Sequence, residues 1–172
     1  MPKHFGGPSY TRHKYIRSIP QSMIKHFTLG DTKSKFSHLV LLKASFPAEI
    51  SSGAFEAARV TANKVLEKAG KPFLLHIFPY PHEVVREHKF MGFAGADRLS
   101  RGMSKSFGRP VSRTAKVDAD QVFLTISVNE SEIEVAKMAV KRASKKLHGQ
   151  FYTLVESAPT SDNPKLEDQL LE

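Results

Sequence analysis

The stretch SSGAFEAARVTANKVLEKAG, residues Ser51–Gly70, decides the fold class, because its apolar side chains recur every three or four positions. That spacing places them on one face of an α-helix. The face consists of Phe55, Ala58, Ala62, Val65, Leu66 and Ala69. Ser52 can cap the first turn, and Gly70 with Pro72 ends the last one. The stretch therefore predicts a helix that buries one side against a core.

A second helix is predicted downstream, over Ser131–Leu147. Ser131 and Glu134 have the spacing of a capping box, in which both side chains bind backbone N–H groups at the start of the helix. The apolar positions again follow the helical repeat: Ile133, Ala136, Val140, Ala143 and Leu147. The rest of the surface carries the cations Lys137, Lys141, Arg142, Lys145 and Lys146. This helix is predicted to bury one stripe and to carry cations beside it.

Short apolar runs around the helices predict strands. They are Ser37–Ser45, Phe73–Tyr80, Ser112–Val117, Val122–Val128 and Phe151–Val155. The third and fourth runs are predicted to pair with each other through a turn at residues 118–120. His76 lies between apolar neighbours, which favours a structural histidine over a catalytic one. Since strands and helices do not alternate regularly, the sequence predicts an α+β fold and not a doubly wound sheet.

The stretch Pro81–Pro110 concentrates positive charge. Its cations are Arg86, Lys89, Arg98, Arg101, Lys105 and Arg109, against the carboxylates Glu83, Glu87 and Asp97. The second half, Ala94–Pro110, contains three glycines and no apolar repeat, which predicts a long internal loop. A loop of about 17 residues exceeds what a simple connection requires. Because guanidinium groups can fork onto phosphate oxygens, this loop is predicted to follow a polyphosphate backbone.

Residues 1–31 are predicted to form a basic N-terminal arm, broken by the Gly-Gly-Pro at residues 6–8 and by Pro20. Aromatic and cationic side chains interleave there: Tyr10, Arg12, His13, Lys14, Tyr15 and Arg17. Aromatic rings can stack on bases while the cations pair with phosphates. The alternative is a mobile terminal arm whose aromatic residues have no ligand.

The net charge of +9 is unevenly distributed. Residues 1–43 hold eight lysines and arginines against a single acid, Asp31. Residues 153–172 hold one lysine against five carboxylates, a net charge of −4, so the rest of the chain carries +13. Segregated positive charge of this kind favours a polyanionic partner, because binding releases counterions. The alternative is a basic surface without a partner.

Composition excludes several further classes of protein. The absence of cysteine excludes disulfides and thiolate metal sites. No apolar run approaches the ~20 residues of a membrane span, and the first ten residues lack the apolar core of a signal peptide. We expect a soluble intracellular chain with no membrane partner. It is predicted to comprise the arm (1–31), a single α+β RNA-binding domain (32–157) with an internal loop at about 94–110, and an acidic tail (158–172) expected to be disordered.

The sequence offers no convincing catalytic constellation. His82 and His88 flank two glutamates, but they are six residues apart, whereas the helical zinc motif requires a spacing of four. The glycines of the basic stretch do not form a phosphate-binding loop with its terminal lysine. Asp97 could act as a general base, but its neighbour Arg98 offers a simpler role. The two side chains would pair, or the arginine would lower the pKa of the carboxyl. We predict no enzymatic activity, no metal site and no cofactor.

Three blocks of sequence resemble one protein family. PHEVVREHK (81–89), followed by GADRLSRGMSKSFGRP (95–110), resembles the signature of the L-ten-e family. This family of archaeal and eukaryotic large-subunit ribosomal proteins is the counterpart of bacterial L-sixteen. SYTRHKYIRSIP (9–20) and AFEAARVTANKVLEKAG (54–70) extend the resemblance, and the blocks keep the family order from about residue 9 to residue 147. The chain departs from the family at two positions of these blocks: the family usually has asparagine where this chain has His88, and arginine where it has Ser104.

The resemblance implies an antiparallel sheet with two α-helices packed on it, a long basic internal loop and an extended N-terminal arm. It implies a structural protein that binds large-subunit rRNA beside the aminoacyl-tRNA site, through shape and phosphate contacts. The loop, here about Arg98–Pro110, would reach toward the peptidyl transferase centre. Aminoacyl-site tRNA and neighbouring ribosomal proteins are the further partners implied.

The residues and the resemblance together give a set of candidate RNA-binding side chains. They are Tyr10, Arg12, Lys14, Tyr15, Arg17, Arg59, Lys64, His82, Arg86, His88, Lys89, Arg98, Arg101, Lys105, Arg109 and Arg113. The alternative function is an RNA-binding module outside the ribosome. Residues 98–108 are predicted to be mobile in the free protein and to become ordered on RNA, because their cations repel one another and few apolar side chains offset the ordering cost. The alternative is that Met103 and Phe107 pack back onto the domain.

Overall fold

The computed structural model describes Ser9, residues 16–87 and residues 108–157. The helices are α1 (Ser52–Ala69) and α2 (Ile133–Ser144). The strands are β1 (Thr28–Gly30), β2 (His38–Ala44), β3 (Ala48–Ser51), β4 (Leu74–Ile77), β5 (Glu83–Glu87), β6 (Arg109–Val117), β7 (Val122–Val128) and β8 (Phe151–Ser157). The predicted tail and residues 94–107 of the predicted loop are outside the described residues.

The strands form two antiparallel sheets. The large sheet has the order β1-β4-β7-β2-β8, and the small sheet has the order β3-β6-β5. The two helices pack against each other; α2 also contacts β2, β7 and β8, whereas α1 contacts β3 and β6. The α+β class, the antiparallel pairing and the two packed helices are confirmed, although the chain builds two sheets where one was expected.

The predicted pairing of Ser112–Val117 with Val122–Val128 is wrong. These segments belong to β6 and β7, which lie in different sheets. The predicted turn between them does form, with Asp120 in the left-handed region at φ 61°. Ala44, at the end of β2, binds both sides of it: Asp120 N donates to Ala44 O (2.8 Å) and Ala44 N donates to Gln121 O (3.1 Å). The turn is therefore held by β2, and the chain changes sheets there.

The core lies between the helices and the sheets. Phe55 of α1 is completely buried, with its ring 4.9 Å from that of Phe123 on β7, and Phe151 of β8 lies 5.8 Å beyond. Most of the predicted helix faces are buried: Phe55, Ala58, Ala62 and Leu66 on α1, with Ala136, Val140 and Ala143 on α2. Val65, Ile133 and Leu147 are partly buried, and Ala69 is exposed.

Both predicted helix starts need correction. Ser51, not Ser52, caps α1 by accepting a hydrogen bond from Ala54 N (3.4 Å), and Ser52 is buried in the first turn. The capping box at Ser131 and Glu134 does not form: a 3-10 turn at Glu130–Glu132 leads into α2, and no side chain within these described residues caps it. The end of α1 is as predicted, with Gly70 at φ 66°.

The segment predicted as an arm contributes to the folded structure from residue 16 onward. Ile16 is buried, and Ile24 belongs to the hydrophobic core at 2% exposure. β1 pairs with β4 at the edge of the large sheet. The chain therefore enters the fold before residue 31, which marks the predicted end of the arm.

Candidate nucleic-acid interface

The basic stretch is rooted in the small sheet as a long hairpin connection. β5 pairs with β6 so that Glu87 lies opposite Arg109 and Arg86 opposite Pro110, with a register shift between Val85 and Arg86. Residues 88–108 therefore leave and re-enter the sheet at adjacent positions. Gly108, at φ 99°, leads into β6 in a backbone conformation that side chains other than glycine rarely adopt. The sheet thus holds both ends of the connection together.

The face of the small sheet that points away from α1 is mostly polar, with Val85 as its apolar member. Side chains alternate between the faces of a strand, and the register places Glu83 opposite Thr114, which in turn lies opposite Ser51. Thr114 Oγ1 donates to Glu49 Oε1 over 2.7 Å. Lys116 Nζ lies 3.5 Å from Glu83 Oε1. These contacts link all three strands through side chains as well as through the backbone.

Glu83 is the most unusual residue of this face, because its side chain is only 5% exposed. Ser9 Oγ donates to Glu83 Oε2 over 3.0 Å, and His82 Nε2 lies 3.7 Å from Glu83 Oε1. The exposed His82 ring uses its other nitrogen, Nδ1, to contact Tyr80 O at 3.0 Å. A buried carboxylate is costly unless polar groups surround it, and here Ser9 and Lys116 supply them.

Arg113, a candidate RNA-binding residue, is engaged by the protein itself. It lies opposite Val84 in the small sheet, and its half-buried side chain donates from Nε to Pro20 O over 2.7 Å. Its guanidinium therefore holds the N-terminal segment against β6. Sequence reasoning identified the charge but could not identify this partner, which lies 93 residues away in the chain.

The other candidates within the described residues fall into two groups. Arg17 and Arg109 are exposed and Arg86 is half-buried; Arg86 and Arg109 stand at the root of the hairpin connection. The other group, Arg59 and Lys64, lies on α1 and is not brought to that root. Candidates outside the described residues are Tyr10, Arg12, Lys14, Tyr15, His88, Lys89, Arg98, Arg101 and Lys105.

Arg59 is half-buried and paired within its own helix. Its Nε donates to Glu56 Oε2 over 2.9 Å, and a second contact joins the guanidinium to Glu56 Oε1. Hydrogen bonding from Arg59 lowers the pKa of the Glu56 carboxyl. RNA would have to compete with this pair, whereas the exposed Lys64 is accessible.

A groove between the helices was missed by the sequence reasoning. It has a volume of about 540 Å³ and is lined by Val60, Thr61, Lys64, Val65, Lys68, Ala69, Val135, Met138 and Arg142. Met138 is 50% exposed although it is apolar. The sequence signal is a second apolar row, Val60 and Val135 with Met138, beside the two predicted buried stripes. The groove combines an aliphatic floor with cations from both helices.

His76 has the structural role that its apolar neighbours predicted. Its Nδ1 lies 2.8 Å from Thr28 Oγ1, which joins β1 to β4, and its ring contacts that of Phe78 edge-on. Burial lowers its pKa. Within residues 16–87 and 108–157, no three acidic or histidine side chains converge as metal ligands would. Neither described helix combines the length and apolar composition that crossing a membrane requires.

Comparison with known proteins shows the family to which the chain is similar. Residues 6–153 match the family described as Ribosomal protein L16p/L10e. A protein of Thermofilum pendens, named Large ribosomal subunit protein uL16, is 43% identical over 158 residues, covering 91% of this chain and 94% of the relative. Proteins of the same name from Metallosphaera sedula and Saccharolobus solfataricus are each 42% identical over 149 residues, which is 84% of this chain and 85% and 84% of the relatives.

Proposed function

The chain belongs to the L16p/L10e family of ribosomal proteins, and from this premise we propose that it is a structural constituent of the large ribosomal subunit in the cytoplasm. The observation that carries the proposal is the 43% identity to a large-subunit protein over 91% of the chain. The aligned 158 residues extend beyond the part of the chain that the structure describes. The role is to bind and support RNA during translation, not to catalyse a reaction.

We further propose that the chain binds large-subunit rRNA near the aminoacyl-tRNA site and directs its basic connection toward the peptidyl transferase centre. The hairpin root supports this, because β5 and β6 hold both ends of residues 88–108 at one end of the small sheet. The exposed Arg109 stands at that root. Arginine and lysine side chains on a tethered connection can neutralise phosphates without reading base sequence.

In this proposal the chemistry of peptide bond formation stays with the RNA. The protein positions rRNA helices, with neighbouring ribosomal proteins as further partners and aminoacyl-site tRNA as a candidate contact. The polar outer face of the small sheet and the basic groove of the helix pair present different surfaces, so one domain can contact more than one partner.

Co-sedimentation tests the ribosomal assignment against an RNA-binding module outside the ribosome. A tagged copy of the chain, expressed in its source cell, should remain with large subunits through a high-salt wash. A chain found only in fractions lighter than the large subunit would contradict the ribosomal role and favour the free module.

Chemical footprinting tests the finer placement. Large subunits depleted of the protein and then reconstituted with it should regain protection of rRNA around the aminoacyl-tRNA site, and they should regain aminoacyl-tRNA binding. Reconstitution with the Arg109→Ala variant should restore the protection near the domain but weaken it near the peptidyl transferase centre. Protection confined to a distant rRNA domain would overturn the placement while leaving the ribosomal role intact.

A further inference from the structure

We infer that the groove between α1 and α2 binds an acidic, amphipathic α-helix that belongs to another protein. The proposed rRNA contacts lie at the root of the hairpin connection, whereas this groove lies on the helix pair. The inference therefore goes beyond the proposed function. The aliphatic floor of the groove, the charge of its rim and its length all point to such a helix.

The floor of the groove is a row of apolar side chains that the core leaves open to solvent. α1 contributes Val60 and Val65, and α2 contributes Val135 and Met138. Val65 and Val135 also pack against the edge of the core, whereas Met138 is 50% exposed. Adjoining exposed apolar side chains commonly mark a protein interaction site, and the flexible methionine side chain adapts to the shape of a partner. An apolar surface that covers this floor is stabilised by the hydrophobic effect.

The rim of the groove is positively charged. Lys64 and Lys68 come from α1 and Arg142 comes from the last turn of α2, and all three side chains are exposed. None of the described residues that line the groove is acidic. Glu67, which precedes Lys68 in the chain, accepts a hydrogen bond from Asn63 Nδ2 over 2.7 Å. The lining thus presents three cations and no carboxylate to a ligand.

Charge complementarity selects the occupant. A second copy of this chain would bring the same three cations to the groove, so like charges would oppose each other. An RNA backbone would pair with the cations, but its phosphates and riboses are polar and would leave the apolar floor uncovered. A helix with apolar residues on one face and carboxylates beside them satisfies both the floor and the rim, as in other complexes that hold a helix in a groove.

The length of the groove suits a short α-helix. Along α1 the lining runs from Val60 to Ala69, and along α2 it runs from Val135 to Arg142. At about 1.5 Å per residue these runs are about 13 Å and about 10 Å long, which is about two turns of helix. A third helix resting between the first two would face the floor with residues three, four and seven positions apart. Its flanking carboxylates would reach Lys64 on one side and Arg142 on the other.

A synthetic peptide of known chemistry tests the site directly. The peptide has about three heptads, enough to form a helix, with leucine at the first and fourth position of each heptad, glutamate beside the leucines and alanine elsewhere. Fluorescence anisotropy measures its binding to the full chain, and a matched peptide with lysine in place of glutamate is the control. We expect the acidic peptide to bind and the basic peptide to bind at least about 10-fold more weakly, because like charges then meet at the rim.

Variants of the groove locate the binding. Met138→Glu places a carboxylate on the floor and should weaken binding by roughly 10-fold or more, because the peptide would bury an unpaired charge. The double variant Lys64→Gln/Arg142→Gln should weaken binding by roughly threefold to 10-fold and reduce its salt dependence, as expected for two exposed charge pairs. The control Lys137→Gln removes one charge from α2 outside the groove and should change affinity by less than about twofold.

Exchanging the charges of the rim gives a result that unfolding cannot mimic. The double variant Lys64→Glu/Arg142→Glu should lose affinity for the acidic peptide and gain affinity for the basic one. Both positions are exposed, so the fold should tolerate the change, which circular dichroism checks. If Met138→Glu fails to fold, this exchange decides alone.

Photo-crosslinking identifies the occupant in the large subunit. The chain contains no cysteine, so Met138→Cys provides a single attachment point for a benzophenone in the groove. In large subunits reconstituted with the labelled chain, the crosslink should reach a segment of another protein with acidic and apolar residues at helical spacing. A crosslink to rRNA, to a second copy or to this chain's own residues 158–172 would overturn the inference.

Two results with the peptides would overturn it as well. One is equal binding of the acidic and the basic peptide, and the other is an acidic peptide that binds the exchanged variant as tightly as the wild type. A labelled chain that does not enter large subunits would instead count against the proposed function. The peptide measurements on the free chain still decide the inference in that case, so the two failures are distinguishable.

Discussion

The helix pair with the large sheet and the small sheet with its hairpin root are built on opposite principles. In the first region, α1, α2 and the inner strand faces bury apolar side chains, with Phe55 and Phe123 at the centre. In the second, the outer face of the sheet buries Glu83 and Thr114 and ties them to other polar groups. Apolar burial stabilises the fold without direction, whereas hydrogen bonds orient what they join. The comparison indicates that one region supplies stability and that the other fixes where the two ends of the basic connection leave the sheet.

The largest expected effect belongs to the first region. Phe55→Ala should lower the free energy of unfolding by about 3–5 kcal/mol, because it leaves a cavity against Phe123 in a fully buried site. Urea unfolding monitored by circular dichroism measures the change. A loss below about 1 kcal/mol would mean that the helix pair does not carry the stability of the domain.

Gly30 tests whether β1 truly belongs to the large sheet. A Cβ at this position would lie 2.0 Å from Phe73 O, and its φ of 102° strains any other residue. Gly30→Ala should therefore destabilise by at least about 1–3 kcal/mol. The matched control is Gly53→Ala in the first turn of α1, where nothing lies within 4 Å, and alanine should be neutral or stabilising by up to about 1 kcal/mol. Equal melting temperatures for the two variants would contradict the position of β1.

Arg109 tests whether the root of the hairpin connection contributes to RNA binding without contributing to the stability of the fold. Because Arg109 is exposed at the start of β6, Arg109→Ala should change stability by no more than about 0.5 kcal/mol. It should nevertheless weaken binding to large-subunit rRNA and lower the salt slope by about 0.7–0.9, the contribution of one phosphate contact. A variant that melts like Phe55→Ala would show that this root is part of the stabilising core.

The smallest expected effect is a pH dependence from His76. Burial lowers its pKa from the ordinary value of 6.5, so the folded protein keeps the ring neutral where the unfolded chain is already protonated. The unfolded chain binds the extra proton, and the free energy of unfolding should fall as the pH decreases below about 6.5. His76→Gln should show a smaller fall between pH 7.5 and pH 5.5 than the wild type. The exposed His148→Gln serves as the control, and identical pH profiles for the two variants would exclude His76 as the source.

Local sequence patterns predicted the features that depend on neighbours in the chain. The period of Phe55, Ala58, Ala62 and Leu66 predicted the buried face of α1, and Gly70 predicted its end. The same patterns predicted a strand at Ser37–Ser45, observed as His38–Ala44, together with the turn before Val122 and the α+β class. Interleaved cations and glycines indicated a polyanionic partner, and the family signature identified which one to expect. Each of these signals is carried within a window of about 20 residues.

Only the tertiary structure decided which segments meet. The sequence predicted that β6 and β7, which are adjacent in the chain, pair with each other. In the structure they lie in separate sheets, and the turn between them is hydrogen-bonded to the backbone of Ala44. Arg113 read as an RNA contact, yet it binds Pro20 O. In the sequence Glu83 was one of three carboxylates among six cations, and nothing indicated that Ser9 donates a hydrogen bond to it. Burial leaves a periodic trace along the chain, because each element repeats its orientation. A partner 74 or 93 residues away leaves none, because pairing depends on the register of strands that the whole fold brings together.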